Sequence, residues 1–413
     1  MTVTLPRTTA VLLFLAFAFA YFLSALIRAI TATLAPTLTH ELSLQASDLG
    51  LLAGGYFLGF AAMQLPLGKW LDRFGPKKVI LAFLAVAVLG CMAFAVASSF
   101  AGLLAARVLC GAGVSACLMA PLTGYRRWFS AGAQMRANSW MLMAGSLGML
   151  ASTLPVQWLM PLMGWRGLFW GLAALVMLAM ALIALQVPAW LPSRPAGADP
   201  SAPASGYRDI WRHRYFRKIL PMGFFVYGGQ VAVQTLWAAP WMTRVAGYSP
   251  LQAATGLFFI NLCMLGTFWA WGLAAPWLAR KAWGADRLMA LGVPISFLPI
   301  AILCIAGDAA NSAVTALFTL YCMGCSFVSL SQPALALAFP QQLAGRALSA
   351  FNLVIFAGVF TVQWGIGLAI DGLMAVGLAQ AMAFRAAFGL FLLCCVGSYL
   401  WFVLYKSHNS TAP

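Results

Sequence analysis

Carboxylates are what this sequence most lacks. Its 413 residues include eight acids, Glu41, Asp48, Asp72, Asp199, Asp209, Asp286, Asp308 and Asp371, against 24 Lys and Arg. A soluble domain is charged at about a quarter of its positions, whereas here the charged share is 8% and the hydrophobic share 63%. So few charges cannot cover a water-facing surface, which excludes a soluble domain. Histidine is scarce as well, with three residues, and His213 stands alone in a basic segment. No cluster of Asp, Glu, His and Cys marks a catalytic centre at a membrane face, so no enzyme activity, catalytic residue, metal site or cofactor is expected. The nine cysteines, Cys91, Cys110, Cys117, Cys263, Cys304, Cys322, Cys325, Cys394 and Cys395, all sit in apolar stretches, which argues against a disulfide framework. Cys322 and Cys325 have metal or redox spacing, but without a nearby histidine they read as small packing residues. No G-x-x-x-x-G-K-[ST] loop occurs, so nothing suggests ATP coupling.

What is abundant is apolar length. Stretches of roughly 20 residues, enough to cross a ~30 Å hydrocarbon core as a helix, recur along the chain. About twelve spans are expected, near 10–36, 47–69, 77–98, 100–124, 137–160, 165–187, 218–243, 252–279, 287–307, 311–335, 346–372 and 380–405. Weak alternation argues against an outer-membrane barrel. The first span is too long for the core of a cleaved signal peptide and is expected to stay. The fold class is therefore an all-α integral membrane protein.

A net charge of +16 could suggest nucleic acid, but the basic residues alternate between the two sides. With the N-terminus inside, one side collects Lys69, Arg73, Lys77, Lys78, Arg126, Arg127, Arg136, Arg194, Arg208, Arg212, Arg214, Arg217, Lys218, Arg280, Lys281, Arg287 and Arg346; the other holds Arg166, Arg244 and Arg385. This is the positive-inside pattern of an inner-membrane protein with both termini cytoplasmic. The expected partner of that charge is the anionic face of the lipid bilayer, not nucleic acid.

Between the sixth and seventh spans, "VPAWLPSRPAGADPSAPASGYRDIWRHRYFRK" reads as a flexible linker followed by an amphipathic Arg-rich segment. The expected organisation is a six-helix bundle over 1–187, a cytoplasmic linker over 188–217 and a second six-helix bundle over 218–413. The halves echo one another: Pro36 matches Pro240 and Gly68 matches Gly272, both at 204 positions, and "VQW" occurs at Val156–Trp158 and Val362–Trp364. Repeats in the same orientation imply a pseudo-two-fold axis along the membrane normal.

The turn after the second span reads "GKWLDRFGPKK". Gly68, Asp72, Arg73, Gly75, Lys77 and Lys78 fill every constrained place of G-x-x-x-D-[RK]-x-G-x-[RK]-[RK], the signature of the major facilitator superfamily, and the chain resembles that family over essentially its whole length. The resemblance implies that Asp72 latches the two halves on the cytoplasmic side, with a charged turn that merely fixes topology as the alternative. The second-half counterpart has Pro276 where the aspartate would stand, which implies an asymmetric gate. In the fourth span, Arg107, Gly111 and Gly113 match the family's Arg-x-x-x-Gly-x-Gly pattern, implying a structural or proton-coupling arginine and close helix approach. The fifth span, with Gly145, Gly148 and Pro155, lacks the Gly-Pro-x-x-Gly-Gly ending of the family's drug–proton antiporters, which weighs against efflux.

Arg28 lies alone in "YFLSALIRAITATLAPTL", eight positions before Pro36, or roughly 12 Å below the helix end at ~1.5 Å per residue. An unpaired charge that deep costs at least ~2.5 kcal/mol, so Arg28 is expected to face the bundle interior. Tyr21, Ser24, Arg28 and Thr31 form one polar stripe at helical spacing. The seventh span offers Tyr227, Gln230, Gln234, Trp237 and Trp241, and the tenth Tyr321, Cys325, Ser329 and Gln332. The resemblance implies that these helices line a central cavity, with helix–helix hydrogen bonding as the alternative for any one Gln or Ser. With no acid at mid-membrane, a site for an anion fits Arg28 better than a site for a cation. The alternative is an Arg28 neutralised by backbone carbonyls, helix ends or Asp48.

The expected function is a secondary active transporter, symporter or antiporter, moving a small anionic solute by alternating access. Arg28, Tyr21, Ser24, Thr31, Tyr227, Gln230, Gln234, Trp237, Tyr321 and Gln332 are its candidate substrate residues. A coupling ion such as H+ would have His40, Glu41 and Asp48 at its disposal, and a monomer is expected. Proton-linked efflux of amphipathic compounds and a non-transporting solute sensor remain alternatives.

Overall fold

The computed structural model describes residues 6–188, 207–280 and 283–405. Residues 189–206, most of the expected linker, lie outside the described residues, as does Lys281. No strand occurs among the described residues. In hydrocarbon every backbone group must be bonded within the protein, which only helices and closed barrels achieve, and the long apolar runs here form helices even where they carry proline, as at Pro36 and Pro66.

Among the described residues ten helices are long and apolar enough to cross a membrane. Two glycine breaks, together with the helix Ala131–Ala151, which is not among the ten and continues through Ser152 and Thr153 into the piece before the second break, account for the difference from twelve. The run Ala46–Val96 bends at Gly75 (φ 77°), and Leu154–Gln186 bends at Gly164 (φ 64°), a region of φ in which a Cβ is strained. Opened at these points, the order is α1 Arg7–Leu42, α2 46–74, α3 76–96, α4 100–128, α5 131–163, α6 165–186, α7 Arg214–Arg244, α8 Pro250–Arg280, α9 Ala285–Ala306, α10 Ala309–Leu337, α11 Gln341–Ala375 and α12 Gln380–Leu404. A short helix, Tyr207–Arg212, precedes α7. Within the fold only 22% of the most apolar window of α8 is buried, and 33% of that of α12. Apolar surface left uncovered on this scale has hydrocarbon, not water, as its solvent. The protein is a multi-pass membrane protein.

The described residues fall into two compact units, one drawn from Met1–Leu34 and Gly55–Ala202, the other from Ala35–Gly54 and Pro203–Pro413. In the first unit, α2 and α4 meet backbone to backbone: Gly59 lies on the Val108 carbonyl and Gly111 on the Tyr56 carbonyl, each too close to admit a Cβ. Gly113 does the same against the Ala87 backbone of α3. Such contacts replace hydrophobic drive where lipid is as apolar as the side chains. In the second unit an aromatic cluster fills the space between α7, α10 and α12, with the Trp241 ring 4.7 Å from Phe388 and 6.1 Å from Phe318. The end of α1 and the start of α2 belong to this second unit, and the remainder of each helix to the first.

Candidate functional site

In the first unit the α1 stripe splits into packed and accessible members. Ser24 and Thr31 are buried, while Tyr21 is half-buried, its ring seated on α5 where a Cβ at Gly145 would stand 2.5 Å from it. Arg28 is half-buried, and its Nε is buried without a hydrogen-bond partner. One turn of α1 around it is held from behind. Tyr56 of α2 donates its hydroxyl to the Ser24 carbonyl at 3.2 Å, and Arg107 of α4 donates Nη1 to the Ile27 carbonyl at 2.9 Å. Arg107 is fully buried, its guanidinium 5.1 Å from the Tyr56 ring centroid, with Nε and Nη2 unpartnered. Both guanidiniums lie within electrostatic reach of the Tyr56 hydroxyl. Asp72, the acid of this unit's described residues, is exposed at the far end of α2. The interior thus carries two cations and no carboxylate. Arg107 is enclosed by protein, whereas Arg28 retains an accessible side and unspent hydrogen-bonding capacity for an anion.

In the second unit α7 departs from regular geometry. Two π-helical turns, Gly223–Tyr227 and Val233–Trp237, flank Gly228–Ala232; such turns often accompany functional sites. Each inserted residue rotates the positions beyond it by about 100° at 3.6 residues per turn, so a stripe written at regular spacing does not stay on one face. Tyr227 is half-buried, but Trp237 and Trp241 are in the core. The Trp237 indole donates to the Gln363 carbonyl at 3.0 Å. Gln230 and Gln234 are buried and joined in a relay: Gln230 Nε2 donates to Gln234 Oε1 at 3.2 Å, Gln234 Nε2 to Asn261 Oδ1 at 2.8 Å, and Asn261 Nδ2 to the Leu257 carbonyl at 2.9 Å. On α10, Tyr321 is buried with its hydroxyl unpartnered, while Gln332 is half-buried and donates to Asn352 Oδ1 at 3.1 Å. Cys322 and Cys325 are buried free thiols. A cavity of about 380 Å³ lies apart from all of these, lined by Thr267, Trp271, Ile295, Leu320, Met323 and Phe327 among others; the Trp271 indole is already bonded to Ser326 Oγ at 2.9 Å, so the groove offers little but apolar surface.

The charged turn is built at Gly75. Asp72, Arg73 and Lys78 are exposed, and Lys77 Nζ donates to the Ala184 carbonyl at 2.7 Å, at the negative end of α6. Gly68 has open space where a Cβ would point. Of the proton-coupling candidates, His40 and Glu41 are exposed, and Asp48 accepts the Gln45 N–H at 3.1 Å as a local cap. Sequence reading missed Tyr56, Asn261, Asn352 and Gln363. Their signal was there, each a single polar group inside an apolar run, and Gln363 lies in the repeated "VQW".

A family model described as Major Facilitator Superfamily matches residues 17–362. The chain is 29% identical over 144 residues to the "Hexuronate transporter" of Escherichia coli (strain K12), a stretch that covers 35% of this chain and 33% of that protein. It is 40% identical over 62 residues to the "Probable sulfoacetate transporter SauU" of Cupriavidus necator, covering 15% of this chain and 14% of that one. The matched region thus spans about a third or less of these curated relatives. Among solved structures, a bacterial homolog of the human lysosomal transporter Spinster superposes with a TM-score of 0.81 at 17% identity, covering 97% of each chain. A D-xylose–proton symporter gives a TM-score of 0.74 at 14% identity, covering 95% of this chain and 97% of that one.

Proposed function

The chain belongs to the Major Facilitator Superfamily of membrane transporters, and from that premise we propose that it is a secondary active transporter moving a small anionic organic solute across the inner membrane by alternating access. Arg28 carries this reading: a half-buried guanidinium with an unpartnered Nε, in a unit whose membrane interior has no carboxylate. An anion would satisfy both the charge and the fork geometry, which arginine offers better than lysine. Hexuronate and sulfoacetate, named for two relatives, are both small organic anions, and this supports the same class. Tyr21 would border the solute beside Arg28, and Ser24 and Thr31, buried on the same stripe, would support that turn of α1. In the second unit Tyr227 and Gln332 are the half-buried candidates for contact. Gln230, Gln234, Trp237 and Tyr321, buried and in the first three cases already hydrogen-bonded within the protein, would fix the shape of α7 and α10. Asp72, Arg73, Lys77 and Lys78 would govern the cytoplasmic gate, with both termini on that side.

The test is a thermal-shift series on detergent-purified protein with glucuronate, sulfoacetate, phosphate, glucose and a cationic dye, run in parallel on Arg28→Gln. A ligand that binds the folded state raises the melting temperature with the logarithm of its concentration above Kd. The expected result is stabilisation of the parent by one or more organic anions, with at least a tenfold higher concentration needed in the variant, the loss of a charge-assisted hydrogen bond. Equal stabilisation of both proteins by the dye alone would replace this reading with efflux of amphipathic cations.

A further inference from the structure

The segment Ala35–Gly54 closes α1 and opens α2, yet it packs with the second unit while the rest of both helices packs with the first. The first N–H groups of α2 have no acceptor within their own helix. Asp371, near the end of α11, takes them: the Ala46 N–H donates to Oδ1 at 3.1 Å and the Ser47 N–H to Oδ2 at 2.7 Å. A carboxylate at the positive end of a helix is favoured further by the helix dipole. Asp48 accepts the preceding Gln45 N–H, and Asp371 in taking the next two ties segments more than 300 positions apart.

Below the tie the contact is nearly all backbone. Gly50 lies on the Gln363 carbonyl and Gly367 on the Ala46 carbonyl, each too close for a Cβ, and a Cβ at Gly54 would stand 3.0 Å from the Phe360 ring. Such surfaces approach closely without interlocking side chains. The fit is also incomplete. Thr39 Oγ1 is buried without a partner beside a small cavity that Pro36, Pro240 and Arg244 help to line. Arg244 of α7 is within electrostatic reach of Asp371 without forming an ion pair among the described residues.

We propose that Asp371 is a releasable clasp: while it caps α2 the segment Ala35–Gly54 stays docked on the second unit, and transport requires the cap to break and re-form. The inference rests on the transport reading above, because α1 and α2 each run through both units and cannot remain fixed to both if access alternates.

Nitroxide pairs report the clasp directly. In a Cys263→Ala/Cys394→Ala background, which removes the exposed native thiols, labels at Gln45→Cys and Val376→Cys occupy exposed positions on the two sides of the tie. Continuous-wave spectra of the parent are expected to show dipolar broadening. Asp371→Asn removes the charge and one acceptor. Ser47→Pro removes the stronger donor at a position in the first helical turn that tolerates proline. Both are expected to move the docked-to-released ratio on the order of tenfold toward release, seen as loss of the broadened component. Ser47→Pro decides the matter if Asp371→Asn does not fold. Broadening retained in both folded variants would make this contact a fixed pivot and overturn the proposal. It would leave the anion response to Arg28, and with it the transport reading, untouched.

Discussion

A guanidinium inside a membrane helix needs acceptors, and Arg28 and Arg107 of the first unit meet that need differently. Arg107 has surrendered its access to solvent for one backbone carbonyl and the face of Tyr56, and its hydrogen bond joins α4 to the Ile27 turn of α1. Arg28, on that turn, keeps an unpartnered Nε and an accessible side. Trp237 shows the opposite outcome, a residue expected at a cavity that is fully buried and bonded to Gln363. Trp237→Phe is therefore expected to lower stability by about 1–3 kcal/mol, through a carbonyl left short of its donor and a void, and to leave anion affinity within twofold. Melting curves with and without ligand separate the two effects; a loss of affinity with unchanged stability would support Trp237 as part of the binding surface. The partial burial of Arg28 was legible because a lone charge in an apolar run has so few places to go. Trp237 was not, since its face depends on two π turns that no local residue pattern announces.

At the scale of elements, hydropathy was enough to mark the spans, and glycines explain where they bend and touch. The family pattern treats Gly68 and Gly75 alike, but the structure separates them. Gly75 has φ 77°, where any Cβ is strained by about 1–2 kcal/mol. Gly68 sits in a helix with nothing within 4 Å of a built Cβ. Gly75→Ala is expected to lower the melting temperature, and Gly68→Ala to leave it unchanged or raise it, since alanine is the better helix former by about 1 kcal/mol. Thermal unfolding of the two variants side by side checks this, and equal losses would assign Gly68 a contact role that its open surroundings do not supply. The polar stripe on α7 was readable as composition, but not as a relay ending on Asn261 and the Leu257 carbonyl, because the partner is 27 positions away and one asparagine in an apolar run does not name its acceptor.

For the whole molecule, scarcity of charge and abundance of apolar length determined the fold class, and the exposed apolar faces of α8 and α12 are its structural counterpart. The assignment of Ala35–Gly54 to the second unit was not legible, for a tie such as Asp371 to Ala46 and Ser47 depends on how distant helices meet and leaves no local trace. The function proposed for the assembly is flux, and binding alone would also satisfy a sensor. The most direct measurement is counterflow in proteoliposomes loaded with the organic anion that gives the largest thermal stabilisation, following entry of the same anion carrying a radiolabel, for the parent and for folded Arg28→Gln. The account predicts a saturable overshoot with the parent and a signal at the level of protein-free vesicles with the variant. Counterflow of equal size in both proteins, or none in a parent that binds the anion, would contradict it.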